Sequence, residues 1–149
     1  MRIAMGSDHA GYDLKVHVAD ALRAAGHDVV DVGTDSGEST DYALFAEPAA
    51  RMVAHGEAER GVLVCGSGVG VNIVANKVHG IRAVNAHDVG EAKIARQHND
   101  VNVLTLSGRR LEAEVADAIV ETFLDTDFEG GRHQRRIDEI TALENGEIL

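Results

Sequence analysis

The chain has 149 residues, enough for one domain with a substantial buried core. Hydrophobic residues make up 44% and charged residues 26%, which excludes disordered and fibrous classes; aromatics at 3%, with no Trp, leave little from which to build a base-stacking platform. Lys and Arg number 14 against 25 Asp and Glu, and the net charge of -11 repels nucleic acid and anionic membranes unless the basic residues are gathered in one place. In chain order, Arg2 to Gly6 reads as a first strand. Tyr12 to Ala25 reads as a helix, with Leu14, Val18, Ala21, Leu22 and Ala25 at spacings of three and four and Gly26 as its stop. Asp28 to Val32 is a second strand, followed by a polar loop from Gly33 to Asp41. Tyr42 to His55 is a helix in which the only proline, Pro48, predicts a kink or a break. Gly61 to Cys65 reads as a strand buried on both faces, and the turn Gly66-Ser67-Gly68-Val69-Gly70 leads into a helix ending near Val78. Ile81 to Ala86, Val89 to Asn99, Val101 to Leu106 and Leu111 to Asp125 continue the strand–helix alternation. A polar helix from Arg132 to about Leu143 closes the chain.

Five strands joined by helical crossovers predict a single Rossmann-like domain over residues 1–149: three-layer α/β/α, a five-stranded parallel sheet and an extra C-terminal helix. Ligands on such sheets bind beyond the carboxyl ends of the strands, so chemistry is sought after Gly6, Val32, Cys65, Ala86 and Leu106. One cysteine excludes an internal disulfide and any multi-cysteine zinc site, and fits a reducing compartment. The apolar start is too short for a signal-peptide core, and no window approaches the roughly 20 apolar residues of a bilayer span. A cytoplasmic protein is expected, with neither nucleic acid nor membrane as partner.

The strongest local feature is Cys65 followed by Gly66, Ser67, Gly68, Val69 and Gly70. The glycines let backbone N–H groups approach a ligand, and the helix N-terminus behind them carries partial positive charge. The functional reading is a thiolate base or nucleophile facing an anion cradle; the plain one is a small buried hydrophobe before a tight turn. Nucleotide signatures fail nearby. Val71 stands where the dinucleotide fingerprint needs its third glycine, and Tyr12-Asp13 stands where a P-loop needs Lys-Ser/Thr after Gly6 to Gly11. Asp8 and His9 follow the first strand, as an acid and an imidazole at the ligand edge or as a helix cap and a surface histidine. His98 and Asn99 end a helix and are read as pointing toward the same region, although a histidine there also complements a helix dipole. The eight histidines contain no H-x-x-x-H pair, so a zinc site has little support and no metal is expected. Arg109-Arg110 follow the fifth strand. Arg132 and Arg136 share one helix face, a spacing that suits a phosphate monoester, against the plainer reading of a solvated helix paired with Asp138 and Glu139.

Together, Gly6 to Gly11, Asp31 to Thr34, Thr40 to Tyr42, Cys65 to Gly70, Ala75 to Lys77, Gly80 to Ala83, Arg96 to Asn99 and Gly130 to His133 resemble the B-type ribose-5-phosphate isomerases, a family that includes the galactose-6-phosphate isomerase subunits. The resemblance covers nearly the whole chain. It implies that Cys65 moves a proton between C1 and C2 of the open-chain sugar. His98 would open the ring, helped by Asp8 and Tyr42. Ser67, Asn99 and the backbone of Gly66, Gly68, Val69 and Gly70 would cradle the enediolate, while His9, Arg109, Arg132 and Arg136 would hold the phosphate. The tail arginines of this family usually serve a neighbouring subunit, which implies a homodimer or higher oligomer, with residues from about 126 to 149 as an arm on the partner. No cofactor is implied, because proton abstraction beside a carbonyl needs a base and preorganised donors only. Ala43 stands where many members carry Pro, and Val89-Gly90 where an aromatic and Ser are common. Ribose 5-phosphate and ribulose 5-phosphate are therefore the expected pair, with tetrose 4-phosphates and allose or galactose 6-phosphates as alternatives. A non-catalytic phosphate- or nucleotide-binding module and a structural oligomerisation domain are the readings from other classes.

Overall fold

The computed structural model describes residues 1–149. The elements are β1 (Arg2–Ser7), a 3-10 turn (His9–Gly11), α1 (Tyr12–Ala24), β2 (Asp28–Asp31), α2 (Ala43–Ala54), β3 (Arg60–Cys65), α3 (Val69–Asn76), β4 (Ala83–Asn85), α4 (Val89–Asn99), β5 (Val103–Ser107), α5 (Ala113–Asp125) and α6 (Arg132–Glu144). All strand pairs are parallel, in the order β2-β1-β3-β5-β4. Alternation along the strands divides the core. Ile3, Met5, Val62, Val64, Leu104 and Leu106 face α1, α4 and α5, whereas Ala4, Leu63, Cys65 and Val103 face α2 and α3. This is the doubly wound α/β/α arrangement read from the strand–helix alternation.

Two details depart from the expected elements. Helix α2 continues unbroken through Pro48. The hydrogen bond that Pro48 forfeits is to the Leu44 carbonyl, one turn back at the solvent-facing start of the helix, where Leu44 is exposed and water can substitute. Strand β4 is only three residues long, because amide side chains hold the chain leading into it. The Asn76 carboxamide accepts from the Ala83 N–H at 2.8 Å and donates to the Ala83 carbonyl at 3.0 Å. Asn102 does the same across Arg82 and Gly80, at 2.9 and 2.8 Å. Helix α6 is fastened to its own chain: Ile137 is buried, and the Glu144 carboxylate accepts from the Gly80 N–H at 2.9 and 3.1 Å. No helix is long and apolar enough to cross a membrane.

Candidate active site

Five of the expected site segments meet at the carboxyl edge of the sheet. Strand β3 ends at Cys65, 3% exposed, in the apolar cluster that α2 and α3 close over. The loop behind it is held by its carbonyls. The Gly66 carbonyl accepts from Ser107 Oγ at 2.7 Å and from the Arg109 N–H at 3.2 Å, and the Ser67 carbonyl accepts from Asn85 Nδ2 at 3.2 Å. Gly68, at φ 77°, makes the left-handed turn that opens α3, a conformation that L side chains rarely adopt. The Val69 N–H donates to Ser67 Oγ at 3.2 Å, while the N–H groups of Ser67, Gly68 and Gly70 find no acceptor in the chain. The Arg109 guanidinium lies on Gly66, where an added Cβ would stand 3.1 Å from its Cζ; the Tyr42 ring lies closer still over Gly70, with its Cζ 2.7 Å from such a Cβ.

Asp8 and His9 complete this edge. Asp8 is buried, and its Oδ1 accepts from the Gly11 N–H at 3.0 Å, so one oxygen caps the short turn as the plainer reading had it. His9 Nδ1 accepts from the Thr40 N–H at 3.2 Å, which places the proton of the neutral ring on Nε2, ready to donate to an anion. The loop carrying Thr40 is anchored by Lys15, a residue that sequence reasoning missed. Its ammonium, 2% exposed, lies 2.8 Å from Asp31 and donates to the Thr34 carbonyl at 2.6 Å. The clue was a lysine on the apolar face of α1, between Leu14 and Val18.

His98 and Asn99 are not at this edge, contrary to expectation. Helix α4 runs antiparallel to the strands, and its 11 residues carry them about 16 Å back to the amino edge. There the Asn99 carbonyl accepts from Arg82 Nε at 2.9 Å, just ahead of β4. Arg132 and Arg136 lie at the same end, since the Glu129 N–H donates to the Gln97 carbonyl at 3.0 Å immediately before α6. The His133 ring stacks on His98 with centroids 4.2 Å apart and planes 12° apart, and Glu129 Oε2 lies 3.6 Å from His133 Nε2 and 4.0 Å from His98 Nε2. Burial, reinforced by His98 and Arg132, pushes His133 below its ordinary 6.5. Histidine spacing gave no sign of this trio. As a metal set it is poorly aimed: near-parallel rings send their lone pairs side by side, whereas tetrahedral zinc needs them to converge.

Arg135 pairs with Glu139 at 3.1 Å and Gln134 bonds Asp138, as a solvated tail helix would have it. Arg132, Arg136 and Arg109 have no carboxylate within 4.0 Å, despite the acidity of the chain. A hollow between α1 and α5, lined by Val18, Leu22, Val120 and Leu124, contains none of these residues.

A Rossmann-like sheet whose carboxyl edge combines a thiol, unpartnered backbone donors and a free guanidinium defines an enzyme for a small anionic substrate. The model of the ribose/galactose isomerase family matches residues 3–140. The chain is 47% identical over 143 residues to ribose-5-phosphate isomerase B of Escherichia coli, covering 96% of each. Its structure superposes on that of Clostridium thermocellum ribose-5-phosphate isomerase B with a TM-score of 0.97 at 44% identity, covering 98% of this chain and 99% of that one. It also superposes on ribose-5-phosphate isomerase B from Mycoplasma genitalium with bound ribulose-5-phosphate, with a TM-score of 0.93 at 41% identity, covering 97% and 96%. The chain belongs to the ribose/galactose isomerase family. It is an aldose–ketose isomerase of a phosphorylated sugar.

Proposed function

We propose that the chain interconverts D-ribose 5-phosphate and D-ribulose 5-phosphate, in the cytoplasm, at a site shared between two copies. One observation carries the shared site: the thiol and the N–H cradle lie at one edge of the sheet, and His98, Arg132 and Arg136 lie at the other. A two-fold pairing that sets the amino edge of each copy against the carboxyl edge of its partner completes two sites at once. Exposed apolar side chains give such a pairing its contact surface. Leu44, Val69, Ile73 and Ile94 are exposed, and Ile140 and Leu143 share a groove with Ile81, Val84 and Asn99. The relative with bound ribulose-5-phosphate supports the choice of sugar.

The partner subunit's His98 takes the hydroxyl proton from O1 of the cyclic sugar and returns one to the ring oxygen, with Asp8 and Tyr42 beside the opening ring. The Cys65 thiolate removes the proton from C2, and the electron pair moves through C1 onto O1. The N–H groups of Ser67, Gly68 and Gly70, with Ser67 Oγ and Asn99 of the partner subunit, hold the enediolate charge. The thiol then returns its proton to C1, the O2 hydroxyl gives up its proton as O2 becomes the carbonyl, and that proton passes to O1, so no atom is gained or lost. His9 and Arg109 of one copy and Arg132 and Arg136 of the other grip the phosphate, which keeps the carbons in register. The unpaired Cys65 and the absence of any other cysteine support a reducing compartment.

The test is a panel of phosphorylated aldoses and ketoses compared by kcat/KM. Ribose 5-phosphate is expected to lead; a four- or six-carbon sugar far ahead of it overturns the substrate assignment. Such an outcome would point to Ala43 and Val89-Gly90, which open α2 and α4 at the carboxyl edge. Cys65→Ala is expected to lower turnover by about 10²- to 10⁴-fold and to leave inorganic phosphate affinity intact. Retained turnover would remove Cys65 from the role of base.

A further inference from the structure

The N–H groups of the Cys65–Gly70 loop stabilise an oxyanion only if their directions are fixed beforehand, because donors that must first reorient give up most of their advantage. Glycines cannot fix them, since glycine has the widest choice of backbone angles. What fixes them lies on the two neighbouring strands. Ser107, the last residue of β5 and fully buried, donates from Oγ to the Gly66 carbonyl at 2.7 Å, joined by the Arg109 N–H at 3.2 Å. Asn85, the last residue of β4, donates from Nδ2 to the Ser67 carbonyl at 3.2 Å. Its own amide is oriented by Thr105, whose buried Oγ1 donates to Asn85 Oδ1 at 3.3 Å. Asn85 Oδ1 also packs so closely on Gly68 that a Cβ there would collide with it.

A trans peptide points its C=O and its N–H in opposite directions, and every peptide of this chain is trans. Turning the Gly66 and Ser67 carbonyls toward β5 and β4 therefore turns the N–H groups of Ser67 and Gly68 the opposite way, where neither meets an acceptor in the chain. We infer that Asn85 and Ser107 are positioning residues for the isomerisation, which set the direction of the enediolate-binding N–H groups by holding the carbonyls behind them. Neither touches the sugar. They act on the charge that develops in the transition state and not on the phosphate, so their loss falls on kcat.

This inference rests on the proposed reaction, and the experiment separates the two. Asn85→Leu and Ser107→Ala are assayed with ribose 5-phosphate for kcat and KM, and titrated with inorganic phosphate, beside Cys65→Ala. Each is expected to lower kcat by about 10- to 100-fold while the phosphate Kd stays within about twofold. Ser107→Thr, which keeps the hydroxyl, is expected to restore most of the kcat lost in Ser107→Ala. The inference is overturned if both variants keep kcat within about threefold, or if phosphate affinity falls in step with kcat, the mark of general damage to the site. Should Asn85→Leu fail to fold by circular dichroism, Ser107→Ala and its threonine rescue decide alone. Turnover lost with Cys65 but intact without Asn85 and Ser107 defeats only this inference; turnover intact without Cys65 defeats the reading on which it rests.

Discussion

At the carboxyl edge of the sheet, the candidate groups are main-chain N–H groups and one buried thiol, held by carbonyls bonded to Ser107 and Asn85 and by the buried ends of β1, β3 and β5. At the amino edge they are side chains on two helices: a stacked histidine pair and two arginines with solvent around them. The first set is preorganised by the fold, because parallel strands and short loops leave the backbone few alternatives. The second is carried by side chains: Arg132 and Arg136 are exposed, while His133 is buried against the His98 ring. Under the proposed reaction, proton transfer uses the former and phosphate capture the latter, so the work is divided between the two ends of the chain. On that proposal neither end is a complete site by itself.

Mixing two inactive variants is the most direct way to break this comparison. One chain carries Cys65→Ala, and the other carries His98→Ala, Arg132→Ala and Arg136→Ala; each alone is expected to lose activity by about 10²-fold or more. Co-refolded in equal amounts, they should regain about a quarter of native activity, because half the dimers are mixed and each mixed dimer holds one intact site. No recovery would mean that thiol and histidine act within one chain. Next in size, Arg132→Ala and Arg136→Ala are each expected to raise KM for ribose 5-phosphate by about tenfold or more, with a smaller effect on kcat. An unchanged KM for both would leave these unpaired cations without a function.

The smallest effect concerns His133. Burial lowers its folded-state value below 6.5, so as pH falls through about 6.5 the unfolded chain binds a proton that the folded chain refuses. Stability therefore declines with falling pH across that window, and levels off once the folded-state value is passed. Urea unfolding followed between about pH 7 and pH 5 should show this slope, and His133→Gln should flatten it. An unaltered slope would place the acid sensitivity elsewhere.

Much of the carboxyl edge could be read from the chain because its chemistry is local. Cys65 and the glycines that follow are contiguous, Asp8 and His9 sit directly behind β1, and strand direction alone places them together. The supports of that edge were not readable. Lys15, Asn85 and Ser107 look like ordinary polar residues until the sheet order brings β4 beside β5 and β5 beside β3. Misplacing His98 has an equally definite cause: being at the end of a helix says nothing about which edge of the sheet that end reaches, whereas an antiparallel crossover always returns it to the amino side.

The sequence by itself determined the alternation of strands and helices, the thiol-and-glycine turn, the arginine spacing on α6 and the family resemblance, because each is carried by residues near one another in the chain. Only the tertiary structure decided that the loop is held from behind by β4 and β5, that His98 stacks on His133, and that Arg109 stands at one edge while Arg132 and Arg136 stand at the other. Those facts depend on parallel pairing between segments far apart in sequence, and pairing is a property of the assembled sheet.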